Sequence, residues 1–398
     1  MNILYTTTAY PPAIGGAQLH MHQLARQLRQ RHSVQVVTQW TTRRTDWLLG
    51  TTLLQPAARG VHQLDGVPVH TLALSPVTRL RLAPWVFAYY AAQSAALGRI
   101  ATAFAAELAP WAATADVVHN CRIGREGLSY ASLKVARDRG VPFVLTPVHH
   151  PRWGGWLHRH YHRLYRLADA VIALTEAERD ALITLGVNAD RICVTGIGPI
   201  LAEDGDAARF RSRFNLADEP LVLFLGQKYR YKGLGALLKA APIVWRRFPE
   251  VRFAFVGPRT AYSRWLFYGW TDRRVVEVGE VDLREKTDAV AACDILCVPS
   301  SQESFGGVFT EAWSFGKPVV GCDIPAVRQV IDHGRDGLVV AQRPGPIADA
   351  LISLLESPTL SADIGHRGKT KVDSQFTWPG LATKTEAVYR HVLGGGRA

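Results

Sequence analysis

The chain has 398 residues, 47% of them hydrophobic and 20% charged, the balance of a folded globular protein, which excludes a disordered one. That length exceeds what one core holds and points to two domains of roughly 150–200 residues. The formal charge of +12 sits mostly in residues 1–200, where 20 basic side chains (only Lys134 a lysine) oppose 11 acidic ones, so an acidic partner is expected: a membrane surface, a phosphorylated acceptor or a nucleic acid.

Ile3-Leu4-Tyr5 reads as the first strand, with no basic segment and long apolar run before it, so no signal peptide is expected. Pro11 and Pro12 carry a loop to Gly15 and Gly16, after which Leu19, Met21, Leu24 and Leu28 give a helix with one apolar side. Residues 34–37 form the second strand. A strand, glycine loop and helix open a nucleotide-type α/β domain. The N–H groups of Gly15 and Gly16 either meet a phosphate or simply start the helix. Residues 40–82 are rich in arginine and threonine, and Trp40, Arg43, Arg44, Trp47, Leu48 and Leu49 cluster there. They form either a membrane-seating patch or a solvated loop over the domain edge. Residues 83–98 are uncharged but too short and weakly apolar to span a bilayer, and read as one amphipathic helix.

Asp116-Val117-Val118-His119 is a buried strand ending in a polar residue, and residues 141–147 are another, with His149 and His150 at its carboxyl end. Trp153, Trp156, Tyr161 and Tyr165 then mingle with Arg152, Arg159, Arg163 and Arg166. Residues 169–174 form a strand followed by a helix capped at Thr175. The acidic, glycine-bearing residues 195–215 read as a hinge. Asp204 and Asp206 there form an Asp-x-Asp, which reads as linker rather than metal site. Leu221–Leu225, residues 251–256, residues 275–281 and Ile295–Val298 are further strands. Lys228 and Lys232 follow the first of them, beside Gly233. Cys193, Cys293, Cys297 and Cys322 lie in or beside apolar runs, and five cysteines without a histidine pair at metal spacing imply buried thiols in a reducing cytoplasm.

After Ile295–Val298 comes a loop bearing Glu303, then Gly306 and Gly307 opening a helix that bears Glu311. Such a strand–loop–helix edge is where open α/β sheets bind ligands. The set Glu303, Phe305, Gly306, Glu311, Ala312, Gly316, Pro318 and Val319 resembles the Glu-x7-Glu signature of the retaining glycosyltransferases of family 4, the glycosyl transferases group 1. The resemblance covers nearly the whole chain. It implies an α/β GT-B fold: two Rossmann-like parallel-sheet domains facing across a cleft, here 1–198 on the acceptor side and 199–375 for the nucleotide sugar. A helix in 376–398 is expected to cross back to the first domain.

By the same resemblance the chain is a retaining, hexose-transferring enzyme that moves a sugar from a nucleoside-diphosphate sugar to an acceptor hydroxyl, with no metal required. The acceptor is a glycan, glycolipid or small molecule, in cell-envelope glycolipid or polysaccharide synthesis, in the cytoplasm or on the inner face of the plasma membrane. Glu303 is expected at the donor sugar, Glu311 at the ribose, Lys232 at the diphosphate with Lys228 as helper, and His150 or His149 at the anomeric region. Gly15, Gly16, Val281, Phe305, Gly306 and Gly307 complete the donor contacts. The chain departs from the family pattern at Gln227, where an arginine is usual, at Cys121, where a second histidine is usual, and at Val148, interposed before the histidines. The alternatives are a sugar-nucleotide epimerase or hydrolase, a non-catalytic sugar-nucleotide-binding protein, and a nucleic-acid binder, the last without any recognised nucleic-acid module.

Overall fold

The structure is a computed structural model that describes all residues except 14, 43–46, 57, 123, 151–152 and 396–398. The chain divides into two compact units, Met1–Gly196 with Trp378–Ala398, and Ile197–Thr377.

The first unit holds an eight-stranded sheet: β1 (Asn2–Ala9), β2 (Ser33–Trp40), β3 (Gly60–Leu64), β4 (Val67–Thr71), β5 (Val117–Cys121), β6 (Phe143–Thr146), β7 (Ala170–Ala173) and β8 (Ile192–Val194). Their order is β3-β4-β2-β1-β5-β6-β7-β8, and every neighbouring pair is parallel except β3 with β4. β1, β5, β6 and β7 are buried on both faces; β6 and β7 are near-continuous apolar runs, while β1 also buries Thr6, Thr7 and Thr8, and β5 buries His119 and Asn120. One face packs on the helices Gln93–Ala112 and Gly127–Arg139, the other on Gly16–Leu28 and Trp378–Leu393. The Tyr389 hydroxyl of that last helix meets Tyr5 at 3.0 Å and His119 Nδ1 at 2.6 Å, so the C-terminal segment is part of this core.

Residues 60–71 are not a loop over the edge but an antiparallel hairpin. Asp65 (φ 48) and Gly66 (φ 76) make its turn, the left-handed pair that matches strand twist. Residues 83–98 fall in two helices, Pro76–Phe87 and Gln93–Ala112, rather than one. The chain turns between them because Tyr89 goes fully into the core.

The second unit is an all-parallel six-stranded sheet: β9 (Leu221–Leu225), β10 (Arg252–Val256), β11 (Val275–Val278), β12 (Ile295–Val298), β13 (Val319–Cys322) and β14 (Leu338–Val340). The order is β11-β10-β9-β12-β13-β14. Chain direction across the sheet reverses between β9 and β12, and the crevice beyond the carboxyl ends of those two strands is the ligand position of such sheets. All five cysteines are free thiols. No described helix is long and apolar enough to cross a membrane.

Candidate functional site

Because every strand of the second sheet runs the same way, the loops after β9, β10, β11 and β12 emerge at one edge. The loop after β9 carries Gln227 to Lys232, and the loop after β12 carries Glu303 to Gly306. They are laced together: Ser301 N donates to Tyr231 O at 2.9 Å, and Gln342 Nε2 donates to both Tyr231 O (2.8 Å) and Pro299 O (2.7 Å). Gly233, at φ 81, lies so close that a Cβ there would stand 2.3 Å from Pro299 O. This backbone approach brings Lys232 Nζ into an ion pair with Glu303 Oε1, both side chains largely buried. An ammonium and a carboxylate thus meet at the switch between β9 and β12.

Glu303 is followed by Phe305, buried against Phe376 at 5.3 Å between ring centroids. Gly306 stands at φ 87 as N-cap of the helix Gly307–Ser314, where a Cβ would run into the Phe309 ring at 2.5 Å. No side chain caps this helix start, and no acidic residue lies in its first turn. Its N–H dipoles suit an anion.

Glu311 lies one turn along that helix and is buried. Its Oε1 accepts from Lys286 Nζ at 2.7 Å, while Oε2 has no hydrogen-bond partner among the described residues. Burial pushes its carboxyl above the ordinary range, and Lys286 opposes that. Sequence reasoning gave Lys286 no role. It sits mid-helix in Leu283–Ala292, and only the packing of two helices reveals its partner.

Lys228 is fully buried. Its Nζ is paired with Glu277 Oε1 and donates to Val278 O at 2.5 Å, and Glu277 also holds Arg259, whose Nε is 2.7 Å from Oε2. The ammonium is therefore spent beneath the sheet edge, and Gln227 beside it brings no cation. Val281 lies half-buried in the loop that follows β11, just before the helix capped by Asp282. Asp204 pairs with Arg284 at 2.8 Å and Asp206 caps the helix Ala207–Arg213, so both carboxylates of the Asp-x-Asp are engaged.

In the first unit Gly15 is the extended N-cap of Gly16–Leu28, and Gly16 has open space where a Cβ would stand. His149 and His150 follow β6 and are both buried. The backbone N–H of His149 donates to Glu178 Oε1 at 2.5 Å, and Leu174 N donates to Glu178 Oε2 at 2.7 Å. The capped helix at Thr175 is present, but its third residue holds the histidine loop instead of closing a capping box. Burial pushes the Glu178 carboxyl up to about 7 and the His149 imidazole down to about 4. His119 is a core residue, bonded to Thr146 Oγ1 at 2.8 Å as well as to Tyr389, and Cys121 beside it is buried. Beyond Cys121, Arg122 is buried with its guanidinium 3.8 Å from the Trp153 ring centroid and 4.1 Å from that of Tyr161. Of the tryptophan and arginine cluster after β2, Trp40 and Leu48 are buried, Trp47 and Leu49 exposed, and Arg43 and Arg44 lie outside the described residues, as does Arg152 further on.

Two family models match the chain: the glycosyl transferase 4-like domain over residues 15–198 and the glycosyl transferases group 1 over residues 219–357. A phosphatidyl-myo-inositol mannosyltransferase of Mycobacterium tuberculosis is 35% identical over 185 residues, 44% of this chain and 48% of that protein. A D-inositol 3-phosphate glycosyltransferase of Pseudarthrobacter chlorophenolicus is 30% identical over 248 residues, 58% of this chain and 59% of that protein. The matches thus span about half to three-fifths of these relatives. Among solved structures, Anabaena HepE in complex with UDP and glucose superposes with a TM-score of 0.74 at 19% identity, covering 98% of this chain and 99% of that one. A sucrose-phosphate synthase from Thermosynechococcus elongatus superposes at 0.76 and 21%, covering both chains fully. With both halves matched in order and both sheets of Rossmann type, the chain belongs to the family 4 glycosyltransferases, the glycosyl transferases group 1, and has their GT-B fold.

Proposed function

We propose that the chain transfers a hexose from a nucleoside-diphosphate sugar to an acceptor hydroxyl with retention at the anomeric carbon, in the synthesis of a cell-envelope glycolipid or glycan. The observation that carries this is the Lys232–Glu303 pair at the strand-order switch, beside an uncapped helix start at Gly306 and Gly307. The names of the mannosyl- and inositol-glycosyltransferase relatives, and of HepE with UDP and glucose, support the donor and acceptor classes.

The barrier lies in parting an oxocarbenium-like sugar from a diphosphate, so the main task is to stabilise the departing negative charge. Lys232 turns from Glu303 to the diphosphate, joined by the N–H groups of Gly306 and Gly307. Glu303, released, accepts hydroxyl protons of the donor sugar. Glu311 accepts those of the ribose through Oε2, its other oxygen being held by Lys286. Val281 and its neighbours meet the base through backbone groups, Phe305 supports the Glu303 loop, and Gln227 lines the diphosphate without adding charge. Lys228 acts by fixing the loop after β9. His150 or His149 orients the sugar.

The C1–oxygen bond to the diphosphate breaks and the bond from C1 to the acceptor oxygen forms on the same face. The acceptor's proton passes to the departing phosphate oxygen, so neither a covalent sugar–enzyme intermediate nor a metal is needed. Exposed Trp47, Leu80, Phe87 and Trp156 on the arginine-rich first unit favour a glycolipid acceptor at the inner face of the plasma membrane. The test is incubation with a panel of sugar nucleotides and lipid or glycan acceptors. Sugar appearing on the acceptor with its anomeric configuration kept supports the reading. An epimerised or hydrolysed sugar nucleotide formed equally well without acceptor refutes it.

A further inference from the structure

We infer that Glu178 is a positioning residue for sugar transfer: its carboxylate holds the loop after β6 in the turned form that aims His149 and His150. The inference rests on the glycosyl-transfer reading above and adds a residue to it. β6 and β7 are parallel neighbours, so the loops at their carboxyl ends lie side by side. Glu178, on the helix Glu176–Thr184 that follows β7, is 5% exposed and reaches both loops. Its Oε1 accepts from His149 N at 2.5 Å and its Oε2 from Leu174 N at 2.7 Å. Bonds of this kind, from an N–H to an ionised carboxylate, are stronger than those between neutral groups.

The loop needs such a hold. Val148, directly before His149, stands at φ 46. A β-branched residue in that left-handed region costs about 1–3 kcal/mol and persists only where its surroundings over-determine it. Here the backbone is fixed on both sides of Val148. Pro147 O accepts from Arg122 Nε at 3.2 Å, and His150 O accepts from Trp153 N at 2.9 Å. Between them Glu178 holds the N–H of the residue that follows Val148, and so sets the direction in which the two imidazoles leave the chain. The helix start does not account for this carboxylate, because the N–H of Glu178 is already capped by Thr175 Oγ1 at 3.1 Å. Burial pushes the carboxyl up to about 7, against the pull of the Leu174 and His149 N–H groups and of Arg122. A buried acid is thus kept, at a cost in desolvation, on the loop that carries the histidines.

The test measures kcat, KM for the sugar nucleotide, affinity for its nucleoside diphosphate and melting temperature, using the donor and acceptor that the transfer assay above identifies. The full chain is compared as wild type, Glu178→Gln, Val148→Gly and the double variant. Glu178→Gln keeps the volume but sets an amide NH2 against one of the two backbone N–H groups. Its kcat is expected to fall about tenfold or more, with KM and nucleotide affinity within about twofold of wild type, since the reading above gives the nucleotide to the second unit. Val148→Gly removes the cost of the positive φ, so adding it to Glu178→Gln should recover about threefold or more of the lost kcat. A purely structural role lowers the melting temperature and leaves the kcat of the folded enzyme in place. The inference is overturned if Glu178→Gln keeps wild-type kcat, if its loss lies in nucleotide affinity, or if Val148→Gly recovers none of the kcat. Should Glu178→Gln not fold, Glu178→Asp decides: one carbon shorter, it does not span both N–H groups, and wild-type kcat there refutes the inference. A wild type that transfers no sugar from any donor refutes the transfer reading and this inference with it, whereas an active wild type matched by Glu178→Gln refutes the inference alone.

Discussion

Lys232 and Glu303 stand 71 residues apart in the chain, yet the ammonium of one is bonded to the carboxylate of the other, where the order of strands reverses between β9 and β12. Each neutralises its partner, and the proposed reaction gives each a separate task toward the donor.

Replacing Lys232 by alanine removes the cation that the proposed reaction sets against the departing diphosphate. Turnover is expected to fall on the order of 10²-fold or more, with a smaller change in KM, and Lys232→Arg should restore part of it. Steady-state kinetics with a saturating sugar nucleotide checks this, and unchanged turnover in Lys232→Ala rules the role out.

Lys228, four residues earlier, is expected to behave differently. It lies inside the structure, tied to Glu277 and Val278 O, and burial lowers its ammonium pKa. Lys228→Met keeps the volume and breaks the pair, while Glu277 retains Arg259. The expected cost is about 1–3 kcal/mol of stability, with turnover per folded molecule nearly unchanged. Denaturant unfolding alongside kinetics separates the two effects. A specific loss of turnover without loss of stability would give Lys228 a chemical role instead.

The unspent Oε2 of Glu311 predicts selectivity at the ribose. A hydrogen bond to a charged acceptor is worth about 1.5–3 kcal/mol, so UDP should bind roughly 10- to 100-fold better than 2′,3′-dideoxy-UDP. Glu311→Gln should erase most of that preference. Lys286→Met should weaken it too, because the buried carboxyl then loses the cation that opposes its protonation. Calorimetric titration with the two nucleotides reads the ratio directly, and equal ratios in wild type and Glu311→Gln contradict the assignment.

Acid sensitivity is expected to trace in part to His20. The ring is buried against Trp378, neither nitrogen has a hydrogen-bond partner among the described residues, and burial holds its pKa down at about 4. The unfolded chain therefore takes up this proton first. Stability due to the neutral ring is fully present above about 6.5 and is lost as pH falls towards 4, by up to about 3 kcal/mol. His20→Leu should lessen the fall in melting temperature between pH 7 and pH 4.5 without abolishing it, because His119, held down at about 3, contributes at least as much over that range and His149, held down at about 4, contributes as well. The same slope in His20→Leu as in wild type would place the acid sensitivity elsewhere.

Much of the fold was legible because parallel strands buried on both faces open on short apolar, partly β-branched runs. β1, β5, β6, β9, β10 and β12 stand where Ile3, Val117, Phe143, Leu221, Phe253 and Ile295 announce them. The hairpin at residues 60–71 is masked by the arginine- and threonine-rich composition around it, although Asp65-Gly66 between Val61 and Val67 is a direct turn signal. The stretch 83–98 read as one helix because nothing local marks Tyr89 as a core residue.

At the sheet edge the sequence alone determined which residue types reach the carboxyl ends of the strands: two glutamates eight apart, a lysine before a glycine, and a glycine pair opening a helix. That follows from local chemistry, since turns, caps and apolar runs are written in neighbouring residues. Only the tertiary structure decided which charges are spent and which are open. Lys228 is buried on Glu277, Lys286 is brought to Glu311, Glu178 is turned onto His149, and Arg122 is laid against the Trp153 and Tyr161 rings. Those pairings join residues 25 to 49 positions apart, and charge and hydrogen bonding act through space over a few ångströms, a distance that sequence spacing does not encode once the chain has folded back on itself.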